Sequence, residues 1–312
     1  MSDLVIRPLA ADETDLFLTY PDPLPTDVLP RTLTYPDLLA RGECRPQWTW
    51  VALCGGEVVA RAAWWAGPGS SHPDCLHWFD PGTGPDRIEV GAALLTTAHR
   101  TMRTAGGDLP EYHLFLPPAW RELPAARAAG EDRLAAAGKA GLRRLVERLN
   151  YRWTRDCPLP ARSTRLEFRP AGDAEVLDVL RRVLAGTLDT HSRRDVDRHG
   201  PDRAAERQLA ELHWFPAPRD WWRLGHDQAG KLVGITVPTR NHASPVIGYL
   251  GVVPEQRGHR YATDLLAEAT HRLASEPEGH IGADTDLANT PMAATFARAG
   301  YPMIRTRLVL TG

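Results

Sequence analysis

A strand, a short polar loop and the start of a helix together have the residues to bind a phosphate group. Residues 246–253 are apolar and long enough for one buried strand, and Pro254 ends that strand because proline has no N–H to donate. Arg257, Gly258 and Arg260 lie in the loop that follows. Apolar side chains then recur at the spacing of one helical face: Leu266, Ala269 and Leu273. The free N–H groups and the dipole of that helix, with the two arginines, predict a site for a phosphate or pyrophosphate.

Two aspartates and a tyrosine are candidates for moving a proton near that site. Asp284 and Asp286 alternate along the next predicted strand, so their side chains face the same way. One interpretation is that they point away from the core and only aid solubility. The other is that one lies beside a binding site and takes a proton from a bound group, which for the family named below is an incoming ammonium ion, as a carboxylate can when burial raises its pKa. Tyr249, on the strand before the loop, is either a wall residue or a further catalytic group.

A third group of polar residues has a spacing that could bind a metal ion. His191, Asp195 and His199 are four residues apart, so they share a face if the segment is helical. The Gly200-Pro201 pair that follows makes a helix doubtful there. We therefore favour a solvated or substrate-facing surface over a metal site.

Two motifs in this part of the chain resemble those of the GCN5-related N-acetyltransferases, the GNAT family. In that family the acetyl-CoA signature comes directly after a strand. It reads Arg or Gln, then any two residues, then Gly, then any one residue, then Gly or Ala. The matching segment here is Arg257-Gly258-His259-Arg260-Tyr261-Ala262, in which Arg260 occupies the place of the middle glycine. Glycine lets the backbone approach a phosphate closely, so Arg260 either obstructs the site or pairs with a phosphate itself. The second motif is Asn289, followed by a predicted helix over residues 293–299 and by Gly300-Tyr301.

The resemblance implies acetyl-CoA as the cofactor and assigns roles to several residues. Asn289 contacts the pantetheine arm, and backbone groups near Val252 and Val253 hold the arm and polarise the thioester carbonyl. Phe296 occupies the place where the family usually has a tyrosine that protonates the leaving thiolate, so another group must supply that proton. The cofactor-binding residues implied are Val252, Val253, Arg257, Gly258, His259, Arg260, Tyr261, Ala262, Asn289 and Phe296. The family also places the segment after its first strand over the acceptor, so Asp189, His191 and Asp195 are expected to face a cationic amine.

The implied fold class is α/β (α+β), with two tandem GNAT-like domains. Each domain is expected to be a mixed, mostly antiparallel twisted sheet flanked by helices. The boundary falls in the proline-containing linker, which predicts domains at residues 1–160 and 161–312. In the first domain the pattern predicts a hairpin around Gly55-Gly56, strands at 74–80, 111–116 and 151–157, and helices at 88–102 and 123–149. In the second it predicts a strand at 164–169, helices at 174–185 and 204–212, and a hairpin at 221–237.

The first domain is interpreted as a degenerate copy that does not bind the cofactor. The loop that corresponds to the phosphate site begins at Asp80 and continues through Gly82 and Gly84. Asp80, Asp86 and Glu89 surround the predicted helix start, where their charges would repel a phosphate. We expect this domain to pack against the active one and to shape its acceptor pocket.

Composition limits the function classes further. The chain has 312 residues, 43% hydrophobic and 24% charged, which suits two globular domains. A net charge of −2 gives no reason to expect a nucleic acid or an anionic membrane as partner. The scattered cysteines favour a reducing cytoplasm over a disulfide framework or a metal site: Cys44, Cys54, Cys75 and Cys157. The N-terminus lacks a basic segment followed by an apolar run, so no signal peptide is expected, and no apolar run of about 18 residues that could span a membrane occurs.

The function predicted is transfer of an acetyl group from acetyl-CoA to a primary amine of a small molecule or a peptide, by direct attack of the amine. A non-catalytic CoA-binding or regulatory protein is the main alternative, because Arg260 and Phe296 depart from the family pattern. A pure interaction protein is the third class, and Asn289 with Arg257-Gly258 argues against it. The expected assembly is a monomer with internal pseudo-symmetry or a homodimer.

Overall fold

The computed structural model describes residues 4–20, 33–67, 69–102, 109–242 and 244–312. The strands are β1 Leu4–Pro8, β2 Thr49–Cys54, β3 Glu57–Trp65, β4 Cys75–Asp80, β5 Glu111–Leu116, β6 Arg143–Thr154, β7 Leu166–Arg169, β8 Arg223–Asp227, β9 Leu232–Arg240, β10 Pro245–Val252, β11 His280–Asp286 and β12 Met303–Thr311. The helices are α1 Leu16–Thr19, α2 Tyr35–Ala40, α3 Arg87–Met102, α4 Pro124–Lys139, α5 Asp173–Leu184, α6 Thr190–His199, α7 Pro201–Trp214, α8 Tyr261–Leu273 and α9 Thr290–Arg298. No helix within these ranges is both long enough and apolar enough to span a membrane.

The chain divides into two compact units that repeat one architecture. Unit 1 comprises Met1–Glu147 and Arg305–Gly312, and unit 2 comprises Arg148–Ile304. The strand order in unit 1 is β1-β2-β3-β4-β5-β12, and in unit 2 it is β7-β8-β9-β10-β11-β6. Within each unit all neighbours pair antiparallel except one pair, β4 with β5 and β10 with β11. Each sheet is therefore mixed and mostly antiparallel, with helices packed on it, and the predicted fold class is confirmed.

The limits of the units differ from the predicted limits of the domains, because each sheet is completed by a strand from a distant part of the chain. In unit 1, residues 306–310 of β12 pair with β5. In unit 2, residues 148–154 of β6 pair with β11. The domain boundary between residues 160 and 161 marks where the order of predicted elements starts again, and it stays a prediction.

The parallel pair of each unit separates toward its carboxyl end, next to a β-bulge. Among the residues of β10 and β11, only Val246 and Gly282 are in parallel register. The register of β10 against β9 then shifts between Ile247 and Tyr249. In unit 1, Leu76 of β4 is in parallel register with β5. Just after Leu76, the register of β4 against β3 shifts. A bulge bends its strand and often lies beside a functional site, so this feature explains why the two strands diverge.

Most predicted elements are present within a few residues of their predicted limits, including both hairpins and the segment from β10 to α8. The predicted helix over residues 123–149 is confirmed only as far as Lys139, and its continuation to residue 149 is wrong. Helix α4 ends at Lys139 and Gly141 has a φ of 93°, a left-handed conformation that suits glycine and ends the helix. The chain then enters β6, which begins before the predicted strand at 151–157 and ends earlier.

The doubtful helix near His191 does form, as α6. It ends at His199 because Gly200 has a φ of 80°, and Pro201 begins α7 at a helix position where its missing N–H costs nothing. The Gly-Pro pair therefore separates two helices and does not prevent the first.

Candidate functional site

The loop between β10 and α8 has a left-handed backbone at Arg260, the position where the family signature has a glycine. Arg260 precedes the first residue of α8 and has a φ of 64°, in the left-handed region, and Gly258 has a φ of 86°. Among the described non-glycine residues, only Arg260 and Ala119 have a positive φ. Such strain persists where the surrounding structure imposes it, and it is common at functional sites. Arg260 is exposed, so its guanidinium is accessible to an anion.

Two further features of the start of α8 are compatible with the predicted anion site. No side chain caps the N-terminus of this helix. The hydroxyl of Thr263, in its first turn, is buried, and within the described residues it has no hydrogen-bond partner. An unpaired buried hydroxyl costs free energy, and a phosphate oxygen beside it would accept a hydrogen bond from it.

We expect Arg260→Gly to raise the free energy of unfolding of unit 2 by about 1 kcal/mol, because a left-handed L-residue costs roughly that amount and glycine does not. Urea denaturation measures the change. Ala119→Gly is the matched control, since it relieves the same backbone conformation in unit 1. A loss of stability in Arg260→Gly would show that the side chain, and not the backbone, dominates at this position.

Arg257 is engaged with backbone carbonyls. Its guanidinium donates to the carbonyl oxygens of Val252 at 3.2 Å, Gly186 at 3.3 Å and Val183 at 2.9 Å. These bonds join the end of β10 to the last turn of α5 and to the segment after it. Arg257 therefore positions the loop, and contact of either Arg257 or Arg260 with a phosphate stays a prediction.

The remaining loop residues pack against one neighbouring arginine. His259 accepts a hydrogen bond from Arg165 through its carbonyl at 3.1 Å, and the Arg165 guanidinium lies 4.8 Å from the ring centre of Tyr261. Ala262 is half-buried in the first turn of α8. These contacts fix the loop from the side of β7.

The two valines at the end of β10 differ in what their backbone can offer. The N–H of Val253 donates to the carbonyl of Val233 at 3.0 Å, so it is already used within the sheet. The carbonyl of Val252 accepts from Arg257. Because peptide groups alternate in direction along a strand, the N–H of Val252 faces the side of β10 that β11 has left. Of the two predicted backbone donors, Val252 is therefore the one that can face a ligand.

Tyr249 lies just past the bulge of β10. Burial raises its pKa above the ordinary value of a phenol, Asp189 raises it further, and Arg257 opposes the shift. The hydroxyl is therefore protonated at neutral pH and can donate a hydrogen bond.

Arg148 of β6 lies at the centre of three carboxylates, and we call these four residues the Arg148 cluster. Its guanidinium contacts Asp284 at 2.6 Å, Asp189 at 3.0 Å and Asp286 at 3.1 Å. The other oxygen of Asp286 accepts the backbone N–H of Thr190 at 2.6 Å. The Arg148 cluster therefore ties β6 and the end of β11 to the first residue of α6.

The charges of this cluster are mutually stabilised. Burial lowers the pKa of Arg148, but Asp284, Asp189 and Asp286 raise it by more, so it lies above the ordinary value. Burial raises the pKa of Asp189, but Arg148 and the bond from Ser192 lower it by more, and the net pKa is below the usual range. Arg148 and Asp189 are therefore charged at neutral pH.

The structure distinguishes the two aspartates that were predicted as alternative bases. Asp286 has no exposed surface, and both its oxygens face groups of the protein. The side chain of Asp284 is 30% exposed and is the one that an amine can reach without rearrangement. A base role for Asp284 stays a prediction, whereas the contacts of Asp286 anchor α6.

Asn289 and Phe296 lie on α9 in different environments. The side-chain oxygen of Asn289 caps the helix by accepting the N–H of Met292 at 3.3 Å, and its amide nitrogen donates to no described residue. That nitrogen can donate to a ligand carbonyl. Phe296 is 2% exposed, with its ring 4.7 Å from that of Tyr151 and 5.5 Å from that of Tyr301. It is a core residue of unit 2, and contact with the cofactor stays a prediction.

We expect Phe296→Tyr to lower the free energy of unfolding by about 1–3 kcal/mol, because it places a hydroxyl among buried rings. Denaturation of both proteins in urea measures the difference. Unchanged stability together with faster turnover would show instead that the new hydroxyl reaches the cleft as an acid.

The histidine-containing face of α6 has no metal-binding geometry. The carboxylate of Asp195 pairs with Arg207 of α7 at 3.1 Å, and Nδ1 of His191 lies 3.4 Å from Arg148. In the parts of the chain that the structure describes, no three His, Cys, Asp or Glu side chains could hold a metal ion.

The loop of unit 1 begins with Pro81 packed on α3 and continues exposed at residues 83–86, and Asp80 does not face it as predicted. Asp80 is fully buried and accepts from Arg61 at 2.8 Å, Arg133 at 2.5 Å and Trp78 at 3.0 Å. Its charge is neutralised inside the core, so the expectation that it repels phosphate from the loop is wrong. A Cβ on Gly91 of α3 would lie 2.6 Å from the side chain of Pro81, which shows how tightly this loop rests on its helix.

Comparisons with known proteins find a matching family model and similar folds. Residues 188–301 match the model of the Acetyltransferase (GNAT) family. No curated protein matches the chain in sequence. A GCN5-related N-acetyltransferase from Sphaerobacter thermophilus has a similar structure, with a TM-score of 0.63 and 14% identity over 99% of this chain and 95% of that one. A tandem GNAT protein from the clavulanic acid biosynthesis pathway superposes with a TM-score of 0.50 and 19% identity over 99% and 98% of the two chains.

At these identities the solved structures establish the fold alone, and the family match establishes the type of domain. That match lies within unit 2, which contains the diverging strands, the loop at Arg260 and the Arg148 cluster. The chain therefore carries a domain of the GNAT acetyltransferase family at residues 188–301, within the fold of a tandem GNAT protein.

Proposed function

We propose that unit 2 transfers an acetyl group from acetyl-CoA to a primary amine of a small molecule or a peptide. The observation that carries this proposal is the divergence of β10 from β11 beside the uncapped start of α8. A cleft between two strands that ends at a helix N-terminus suits a long ligand with a phosphate group. The match to the GNAT family supports acyl-CoA-dependent N-acyl transfer in general.

Three groups at the start of α8 fit a cofactor phosphate: the helix N-terminus, the hydroxyl of Thr263 and the guanidinium of Arg260. The amide of Asn289 and the N–H of Val252 are the donors available along the cleft. Acetyl-CoA, when bound, supplies an activated acyl group. A fixed N–H such as that of Val252 would stabilise negative charge on an acyl oxygen beside it.

Two side chains are placed to handle protons. Tyr249 holds its proton at neutral pH and lies where β10 leaves β11, so we assign it the donor role that Phe296 cannot fill. Asp284 has an exposed edge on the side of the sheet where α6 begins, and we assign it the acceptance of a proton from the amine, directly or through water. General acid and base groups typically contribute about 10²–10⁴-fold in rate.

Titration calorimetry with acetyl-CoA tests the binding half of the proposal. We expect one site per chain, because Pro81 rests against the first turns of α3 in unit 1, whereas the start of α8 in unit 2 has the unpaired hydroxyl of Thr263. Thr263→Val should weaken binding about tenfold, the equivalent of about 1.4 kcal/mol for a hydrogen bond to a charged group. Thr270→Val is the control on the same helix, since the Thr270 hydroxyl bonds to Leu266 and Tyr301 within the core. Two equal sites would contradict the assignment of unit 1 as a non-binding copy.

Thiol release from acetyl-CoA across a panel of primary amines tests the catalytic half. A non-catalytic CoA-binding protein is the second candidate, favoured by the buried Phe296 in place of an acid. Tyr249→Phe should lower turnover without changing the dissociation constant of CoA. Release that stays at the buffer rate with every amine, while CoA still binds, would favour the second candidate.

A further inference from the structure

Arg257 connects the end of α5 to residues 253–260, which lead into α8 and which we call the α8 loop. Its guanidinium donates to the carbonyl oxygen of Val183 at 2.9 Å, in the last turn of α5, and to that of Gly186 at 3.3 Å, two residues past the helix end. The last carbonyls of a helix have no partner within it, and a cation at a helix C-terminus is stabilised by the helix dipole. Arg257 therefore caps α5.

The chain approaches Arg257 closely at two glycines. Gly186 has a φ of 65°, in the left-handed region, and a Cβ on it would lie 3.2 Å from Nη1 of Arg257. A Cβ on Gly251, near the end of β10, would lie 2.4 Å from the side chain of Val183, so α5 rests directly on this strand. A side chain at either glycine would therefore separate α5 from the α8 loop.

The segment after α5, residues 185–188, leads to the Arg148 cluster. Asp189 contacts Arg148 at 3.0 Å through one oxygen and caps α6 with the other. Within the described chain, the bond from Arg257 to Gly186 is the only hydrogen bond from this segment to a residue distant in the sequence. The segment is therefore held by Arg257 near its start and by Arg148 just after its end.

We propose that Arg257 is a positioning residue for the acceptor site, and that binding of the cofactor and binding of the amine favour each other through it. The inference rests on the proposed function, which assigns the cofactor to the α8 loop and the amine to Asp284. A cofactor that orders the loop also orders Arg257 and, through Gly186, the segment that ends at Asp189.

The coupling follows from the entropy of ordering a shared segment. An amine at Asp284 needs Asp189 in place, because both carboxylates bind Arg148. When the cofactor has already ordered the segment, the amine loses less conformational entropy on binding. Linkage then requires that the amine raise the affinity of the cofactor by the same factor. Arg257 keeps its bonds to α5 throughout, since a phosphate that drew it away would deprive the buried Val183 of its donor.

Hydrogen exchange with CoA as the probe tests the ordering of the segment. The N–H of Thr187 donates to the carbonyl of Leu184 at 3.1 Å and that of Asp189 donates to the hydroxyl of Thr187 at 3.3 Å, so both amides report local opening. We expect saturating CoA to slow their exchange about fivefold or more in the wild type, the lower limit of typical coupling, and to leave it unchanged in Arg257→Met. Faster exchange with CoA would show that Arg257 leaves α5 for the phosphate, and would overturn the inference.

Three variants separate the role of Arg257 from general damage. Arg182→Gln is the matched control, because Arg182 joins the same helix to the same loop through an exposed ion pair with Glu255, and such pairs contribute little. It should keep the protection by CoA. Gly186→Ala leaves every side chain of the loop intact but crowds Arg257, so it should lose the protection while CoA still binds. Arg257→Lys keeps a cation at the end of α5 and should restore part of the protection.

Calorimetry and kinetics measure the coupling to the acceptor, with the amine of highest turnover in the panel. The dissociation constant of CoA should fall about fivefold when that amine is present in the wild type and should not change in Arg257→Met. The same variant should raise KM for the amine about fivefold with kcat little changed, whereas Arg182→Gln should change neither.

The outcomes distinguish the inference from the proposed function. Binding of CoA without slower exchange in the segment, or with equal protection in Arg257→Met, would overturn the inference and leave the proposed function intact. Protection that depends on Arg257, with no acetyl transfer to any amine, would support the role of Arg257 and overturn the proposed transfer. No binding of CoA would overturn both.

Discussion

Asp80→Ala is expected to lower the free energy of unfolding of unit 1 by about 3–5 kcal/mol, the cost of leaving a buried charge without its partner. Asp80 binds both Arg61 and Arg133, and the three side chains are 5% exposed or less. Removing the carboxylate leaves two guanidinium groups in the core. A water molecule in the space left would not compensate two positive charges.

Hydrogen exchange at the amides of β4 and α4 measures this loss in unit 1 itself. Asp132→Ala is the control, because its pair with Arg87 is 25–35% exposed and such pairs contribute about 0–1 kcal/mol. Equal effects of the two substitutions would show that the charges of Asp80, Arg61 and Arg133 are solvated, and the loop of unit 1 would then have to be considered again as an anion site.

Asp286→Ala is expected to lower the free energy of unfolding of unit 2 by about 3 kcal/mol. This is the lower end of the range given for Asp80→Ala, because Arg148 keeps two other carboxylates. The substitution also frees the N–H of Thr190, which loses its acceptor at the start of α6. Asp286→Asn should cost less, since its amide oxygen still accepts that N–H. Asp284→Ala is the control within the same cluster, and its partial exposure makes the loss smaller.

Amide exchange along α6 and the KM of the best amine provide two readouts for Asp286→Ala. We expect faster exchange in the first turn of α6 and a higher KM for the amine, with the dissociation constant of CoA unchanged. A change in CoA affinity equal to the change in amine KM would contradict the role of Asp286 as an anchor of α6.

The parts of the fold that the sequence predicted are those whose signals are local. The hairpin of β2 and β3 shows as two apolar runs around Gly55-Gly56, both with a positive φ. The segment from β10 to α8 shows as a strand, a proline, a glycine and a helical period. In each case the residues that determine the conformation are neighbours in the chain.

The parts that escaped prediction depend on partners far away in the sequence. Charged residues along β6 resemble a continuation of helix α4, so the strand was missed. The acidic partners of Arg148 lie on β11 and at the residue just before α6, far from Arg148 in the sequence. For the same reason nothing local showed that Asp80 is buried against Arg61 and Arg133. Arg148 could have been found as an arginine in an otherwise half-buried strand, had β6 been placed correctly.

The contribution of β12 to unit 1 has a consequence for how the protein is made. During synthesis β5 leaves the ribosome long before residues 306–310, its partners in the sheet. Strand β5 of unit 1 therefore has an unpaired edge until all of unit 2 has been translated. Such an edge is prone to pair with other chains. A fragment cut at residue 160 would keep that exposed edge permanently, and the complementary fragment would lack the residues of β6 that pair with β11. Each half of the gene thus encodes a sheet that only the other half can finish.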